Sequence, residues 1–324
     1  MEIRALFMAL GLAAAFAAAG LEASPRQYPE RPIRVIVPFT AGGGADTLAR
    51  TIGQRLSEAF DQQLVVDNRV GAAGNIGTEI AARALPNGYT ILLGYVGNLA
   101  IGPALYRKLP FDPVRDFVAI TQLASAPNIL VVHPSLPVKS LQEFITYVRS
   151  NPRKVNFASA VTGSPGHLAG EFLKRTAGIE MVHVPYKGAA QAVVDVIGGQ
   201  VQAMFGVSTV MPHVKTGKLR VLATTGLKRF SLLPQVPTIA ESGFPGFEAT
   251  AWYGLLAPSG TPKAVVARLH DETVRALRMS SVKDRLEPLG FDIVGSKPEA
   301  FAAYMKTEIK KWAEIVEASG IKAE

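Results

Sequence analysis

Apolar residues in this chain recur in two rhythms. Short β-branched or aliphatic runs at residues 35–37, 64–66, 89–93, 118–123, 129–132, 201–205 and 252–257 have the length and composition of strands. Elsewhere apolar residues return every three or four positions: Leu48, Ile52, Leu56 and Phe60; Leu141, Phe144, Ile145 and Val148; Leu168, Phe172 and Leu173; Val265, Leu269, Val274 and Leu277. A last amphipathic helix carries Phe301, Met305, Ile309, Trp312 and Ile315, and is expected to brace the first domain without touching a ligand. The alternation predicts an α/β chain that opens with a βαβ unit over residues 33–66. Ser140 is placed to cap a helix that begins a second domain. Residues 218–225 read as a strand crossing back, and residues 286–294 as an apolar turn and strand.

Glycine-rich loops punctuate the strand ends. After Val35-Ile36-Val37 come Pro38, then Gly42, Gly43 and Gly44, with Asp46 leading into a helix. Glycines let backbone approach a ligand, and the free N–H groups of a helix's first turn favour a carboxylate or phosphate. The same residues also describe a tight turn with Asp46 as an N-cap. A second loop, residues 68–77, frees further amides around Gly74, and Arg69 there is read as a partner for Asp67. Gly97 and Asn98 follow a buried strand at the sheet end where open α/β folds hold ligands. In the second domain, Ser159, Thr162, Gly163 and Ser164 gather amides and hydroxyls before a helix that starts near His167. Two such loops about 120 residues apart suggest a grip on both ends of one ligand. His183 and His213 are read as structural, and Lys187 as solvated.

Composition narrows the chemistry. The absence of cysteine removes disulfides, thiolate metal sites and thiol catalysis. A net charge of +8 is scattered rather than gathered in a basic, aromatic-studded stripe, so nucleic acid is not the expected partner. Residues 1–4 carry a positive charge at Arg4, with an atypical Glu2, and residues 5–19 are almost wholly small and apolar, with small-residue cleavage sites at Ala19 and Ala23; residues 1–23 read as a secretory signal peptide and the mature protein as exported to the periplasm. A dinucleotide-binding reading fails for want of a third glycine after Gly42 and Gly44. A hydrolase would have to use Ser164 and His167, for which the sequence offers no orienting acid.

Several motifs occur together in one order. Val37-Pro38-Phe39 with Gly42, Gly43 and Asp46, Asp67-Asn68-Arg69 with Gly71 and Gly74, Phe111-Asp112-Pro113, Ala158-Ser159 with Gly163, Ser164 and His167, Val184-Pro185-Tyr186-Lys187-Gly188, Pro237-Thr238 with Glu241 and Gly243, and Trp252 with Gly254 resemble the Bug family of exported solute receptors, which serve tripartite tricarboxylate transporters. The resemblance implies a type II periplasmic-binding-protein fold, two α/β lobes joined by crossover strands that close on a small carboxylate, with no cofactor or metal. It divides the chain into lobe 1 (residues 24–125 and 223–324) and lobe 2 (residues 126–222). Matched by position, lobe 1 would grip through Phe39, Thr40, Gly42, Gly43 and Asp46, and lobe 2 through Ser159, Gly163, Ser164 and His167; Gly74, Asn98 and Thr162 complete the expected site. Gly206 stands where the family often has an acid, which points away from amino acids and toward di- or tricarboxylates or aromatic acids. A monomer working with transporter membrane subunits is expected, or else a sensor that docks a membrane signalling protein.

Overall fold

A computed structural model describes residues 28–106 and 108–321. The signal segment lies outside the described residues. Among the described residues the eleven strands are β1 (Ile33–Val37), β2 (Leu64–Asn68), β3 (Thr90–Tyr95), β4 (Phe117–Pro127), β5 (Ile129–Val132), β6 (Asn156–Ser159), β7 (Val182–Pro185), β8 (Ala203–Gly206), β9 (Arg220–Thr224), β10 (Thr250–Pro258) and β11 (Asp292–Ile293). The helices are α1 (Gly44–Phe60), α2 (Asn75–Ala82), α3 (Gly102–Leu105), α4 (Leu141–Ser150), α5 (Pro165–Ala177), α6 (Ala189–Ile197), α7 (Met211–Lys215), α8 (Lys263–Arg278), α9 (Ser280–Leu286) and α10 (Pro298–Ser319).

The strands form two sheets, ordered β11-β4-β10-β3-β1-β2 and β7-β6-β8-β5-β9. In the first, β1 is parallel to β2 and β3, while β10 runs antiparallel between β3 and β4. The second repeats this plan: β6 is parallel to β7 and β8, and β5 lies antiparallel between β8 and β9. Parallel strands need covered faces, which is why Val35, Ile36 and Val37 are consecutive, apolar and buried. Helix α1 lays Leu48, Ile52, Leu56 and Phe60 on one face of the first sheet, and α4 begins where Ser140 accepts the N–H of Glu143. One apolar cluster continues through both sheets, joining Ile36 and Leu92 with Leu130 and Phe157. The chain is thus two α/β lobes.

The lobes are joined where β4 passes through Asn128 directly into β5, and where the chain returns from β9 toward β10. Asn128 and Thr225 exchange bonds: the Asn128 N–H donates to Thr225 Oγ1 at 2.8 Å and the Thr225 N–H to the Asn128 carbonyl at 3.0 Å. Both also reach Ala249, since Asn128 Nδ2 and Thr225 Oγ1 donate to its carbonyl at 2.7 and 2.9 Å, and its N–H returns to the Thr225 carbonyl. All three residues are buried, so the crossings are knotted by paired polar groups away from water.

One expectation is met in a shorter form and another changes. Residues 286–294 are a turn and a brief strand: α9 ends at Leu286, a single 3₁₀ turn covers Glu287–Leu289, and Gly290 at φ +90° redirects the chain into the two-residue β11. Helix α10 braces more than the first lobe, because it also packs on α5, where the Arg175 guanidinium donates to the Glu314 carbonyl at 3.3 Å. It is anchored by Glu308, which is buried and accepts the indole N–H groups of Trp252 and Trp312, each at 3.0 Å, and pairs with Lys311.

Candidate functional site

The loop between β1 and α1 is built around Asp46. Its carboxylate accepts from the Gly42 N–H at 2.9 Å, from Arg50 Nε at 3.0 Å and from Asn68 Nδ2 at 3.0 Å. Asn68 Nδ2 also donates to the Phe39 carbonyl at 3.0 Å, so one buried acid and one amide hold residues 39–42 in place. Burial alone pushes the Asp46 carboxyl up, but the bonds from Arg50, Gly42 and Asn68 outweigh it and hold the group below the usual carboxylate range. The N-cap of α1 is Gly43, not Asp46, and no side chain caps it. Asp46 instead sits in the first turn and reaches back to the loop. Thr40 and Gly42 are exposed, as a loop offering backbone to a ligand requires.

Beside it, four consecutive residues, Gly71 to Gly74, have φ between +46° and +130°. For Ala72 and Ala73 this left-handed backbone costs roughly 1–2 kcal/mol each. Surrounding structure holds the strained turn: Thr78 Oγ1 donates to the Gly74 carbonyl at 2.8 Å, Asn98 Nδ2 donates to Thr78 Oγ1, and Asn98 Oδ1 accepts the Tyr95 N–H at 3.0 Å. Phe39, Gly74 and Asn98 come together, since a Cβ on Gly74 would lie 3.3 Å from the Phe39 ring and 3.4 Å from Asn98 Cβ. Asn98 is buried, with its polar atoms engaged by this bridge.

In the second lobe the loop between β6 and α5 rests on two stacked imidazoles. The His167 and His183 rings lie 3.5 Å apart and 10° from parallel. His167 Nδ1 accepts the Gly163 N–H at 2.9 Å, and Ser159 Oγ donates to the Val161 carbonyl at 3.0 Å while facing His183 Nε2 at 2.7 Å. With the Ser159 proton directed at Val161, His183 Nε2 is the donor of that contact. Burial drives the His167 imidazole down to about 3, aided by His183 and Lys174, and burial with Lys174 drives His183 to about 4. Both rings are neutral at pH 7. Ser164 caps α5, its hydroxyl accepting the His167 N–H; Thr162 is exposed. Ser164 Oγ therefore meets the His167 backbone, while the imidazole Nδ1 serves Gly163. This is not the bond between nucleophile and base that a hydrolase uses.

Besides the packing of α10 on α5, the lobes also meet at Gly163 and at Ser208. A Cβ on Gly163, at φ +76°, would fall 2.6 Å from Leu105 Cδ1 of α3, and Ser208 Oγ donates to the Leu289 carbonyl at 2.6 Å. Asp67 pairs with both Arg34 and Arg69, the latter at 2.9 Å. Among the described residues no group of three or more His, Cys, Asp or Glu side chains is arranged to hold a metal, and no helix is long and apolar enough to cross a membrane. Residues absent from the expected site include Asn68 and Thr78, which hold its loops. Asn68, the polar residue that closes β2, is the one with a sequence signal; Thr78, inside α2, has none.

The family model for the tripartite tricarboxylate transporter family receptor matches residues 48–321. Protein BugT of Bordetella pertussis is 35% identical over 324 residues, covering 99% of each chain. A Rhodopseudomonas palustris protein solved with adipate is 37% identical at a TM-score of 0.77, covering 91% of this chain and 99% of that one. MatC of the same organism, solved with bound malate, is 33% identical at a TM-score of 0.73, over 89% of this chain and all of the other.

Proposed function

The chain belongs to the tripartite tricarboxylate transporter receptor family, and on that premise we propose that it is a periplasmic receptor, without enzymatic activity, that captures a small carboxylate by closing two lobes and delivers it to the transporter's membrane subunits. We take lobe 1 to be residues 24–125 and 223–324, lobe 2 residues 126–222, and the working form to be a monomer.

One observation carries the reading. Loops rich in glycine and hydroxyls follow the first parallel strand of each sheet, β1 and β6, and precede helices α1 and α5; Asp46 and His167 take up the Gly42 and Gly163 N–H groups to hold the loops, leaving the neighbouring backbone N–H groups of Thr40, Ala41 and Thr162 to meet a ligand. Asp46 and His167 then act by positioning amides rather than by touching the solute. Neighbours solved with adipate and malate support a carboxylate as the ligand class.

The test is a thermal-shift screen of the mature protein against mono-, di- and tricarboxylates. A true ligand at 100 times its Kd stabilises the folded state by about 2.7 kcal/mol and raises the melting temperature accordingly. Mass spectrometry of the best ligand after prolonged incubation should return it unchanged. A screen without any shift, or conversion of the ligand, would remove the proposal.

A further inference from the structure

The wall of lobe 1 carries a row of four aromatic rings that the loops above do not explain. Phe39 meets Tyr95 edge-on at 5.5 Å, Tyr95 lies against Tyr253 at 4.8 Å, and Tyr253 meets Phe291 edge-on at 5.4 Å. The order follows from register, because Tyr95 at the end of β3 is the direct partner of Tyr253 on β10, and Phe39 follows β1 by two residues. Parallel strands β1 and β3 therefore deliver the row to their carboxyl ends, the side of an open α/β sheet where ligands bind. One end of the row abuts the other lobe, since Phe291 is two residues from Leu289, whose carbonyl accepts from Ser208.

These rings are not ordinary core. Phe39, Tyr95 and Tyr253 keep part of their surface exposed. Among the described residues neither the Tyr95 nor the Tyr253 hydroxyl has a hydrogen-bond partner, and neither is among the fully sealed polar atoms without one. The Tyr253 hydroxyl also lies by the start of α1: a Cβ on Gly44 would be 3.9 Å from it and 3.2 Å from the Phe291 ring. Burial lifts both phenols, and Tyr95 is lifted further by Tyr253, so both remain protonated donors across the physiological range. A half-buried phenol without a protein acceptor is a donor waiting for one.

We propose that Tyr95 and Tyr253 donate hydrogen bonds to the ligand and that the ring row receives an apolar body, so that this receptor selects carboxylates with a methylene chain or aromatic ring over compact, hydroxylated tricarboxylates. The inference rests on the receptor reading above and adds the selecting surface. Each methylene laid on the row is worth roughly a factor of four in affinity. Each phenol bond contributes roughly five- to tenfold.

Isothermal titration of the mature full-length protein with succinate, adipate, benzoate and citrate tests it, in the wild type and in Tyr95→Phe, Tyr253→Phe and Tyr253→Ala. Adipate should bind about tenfold or more tighter than succinate, and adipate or benzoate tighter than citrate; whichever of the two is tighter tells chain from ring. Each Tyr→Phe change, which keeps the ring, should weaken the best ligand five- to tenfold. Tyr253→Ala should in addition shrink the adipate-to-succinate ratio. Circular dichroism confirms that each variant is folded, and an unfolded Tyr253→Ala leaves the two Phe variants to decide. Citrate or succinate as the tightest ligand, or unchanged affinity in both Phe variants, overturns the inference and leaves a carboxylate receptor standing. Failure of all four acids to bind overturns the inference, and the receptor reading is then decided by the wider carboxylate screen.

Discussion

Replacing Asp46 separates a ligand contact from a loop support. In Asp46→Ala the Gly42 and Asn68 donors lose a charged acceptor, at about 1.5 kcal/mol each. The Arg50 pair adds only about 0.3–0.5 kcal/mol, because the arginine side chain is 50% exposed and the pair is an i,i+4 contact on a helix surface. The total is about 3 kcal/mol, or a melting temperature lower by roughly 6 °C for a chain of this size. Asp46→Asn keeps one acceptor oxygen and should lose about half as much. The folded-state pKa is depressed, so the stabilisation is fully present above the unfolded value of about 3.9 and is lost as pH falls through the folded one. Differential scanning fluorimetry should therefore show a constant gap between wild type and Asp46→Asn from pH 5 to 8 that closes below about pH 4. Ligand affinity should fall together with stability in both variants. If Asp46→Asn abolished binding while its melting curve overlaid the wild type, the carboxylate would be touching the ligand and the positioning argument would be wrong.

Two further outcomes follow from buried groups. The imidazoles of His167 and His183, held at about 3 and about 4, stay neutral in the folded protein while the unfolded chain protonates near 6.5. Melting temperature should drop as pH falls from about 6.5 toward 4, and His167→Asn with His183→Gln, which retain acceptor and donor near the original positions, should flatten that limb. Glu308→Ala strands two indole N–H groups and leaves Lys311 without its carboxylate. Urea denaturation should show a loss of about 3–5 kcal/mol, with Glu308→Gln clearly milder because its carbonyl still accepts both indoles.

The strands and helices of both lobes were legible because each is announced by its own period, as Val35-Ile36-Val37 and the Leu48, Ile52, Leu56, Phe60 stripe are. The Arg69–Asp67 pair was legible for the same local reason. Residues 286–294 were legible as turn and strand, but not the brevity of the strand, because Gly290 in the left-handed region divides Leu286, Leu289, Phe291 and Ile293 between a helix end, a turn and a short edge. What could not be read was long-range pairing. Asn128 is 97 residues from Thr225 and 121 from Ala249, and no local pattern marks any of them as partners. Tyr95 and Tyr253 likewise look like routine strand aromatics until the antiparallel register sets them side by side. His167 drew attention as a helix-start residue, but that its ring would receive an amide of its own loop depends on the depth of the pocket around it.

The junction of Asn128, Thr225 and Ala249 has a mechanical consequence. A door hung on a pin whose every fastening is already matched swings without loosening it, so its resting angle is decided at the latch. Here the latch is made of a hydroxyl reaching across at Ser208, a leucine resting on Gly163 and the seat of α10 on α5. Altering the latch shifts how often the empty receptor stands shut and so rescales its affinity for every solute by a common factor, whereas altering the rings along the wall reorders which solute is preferred.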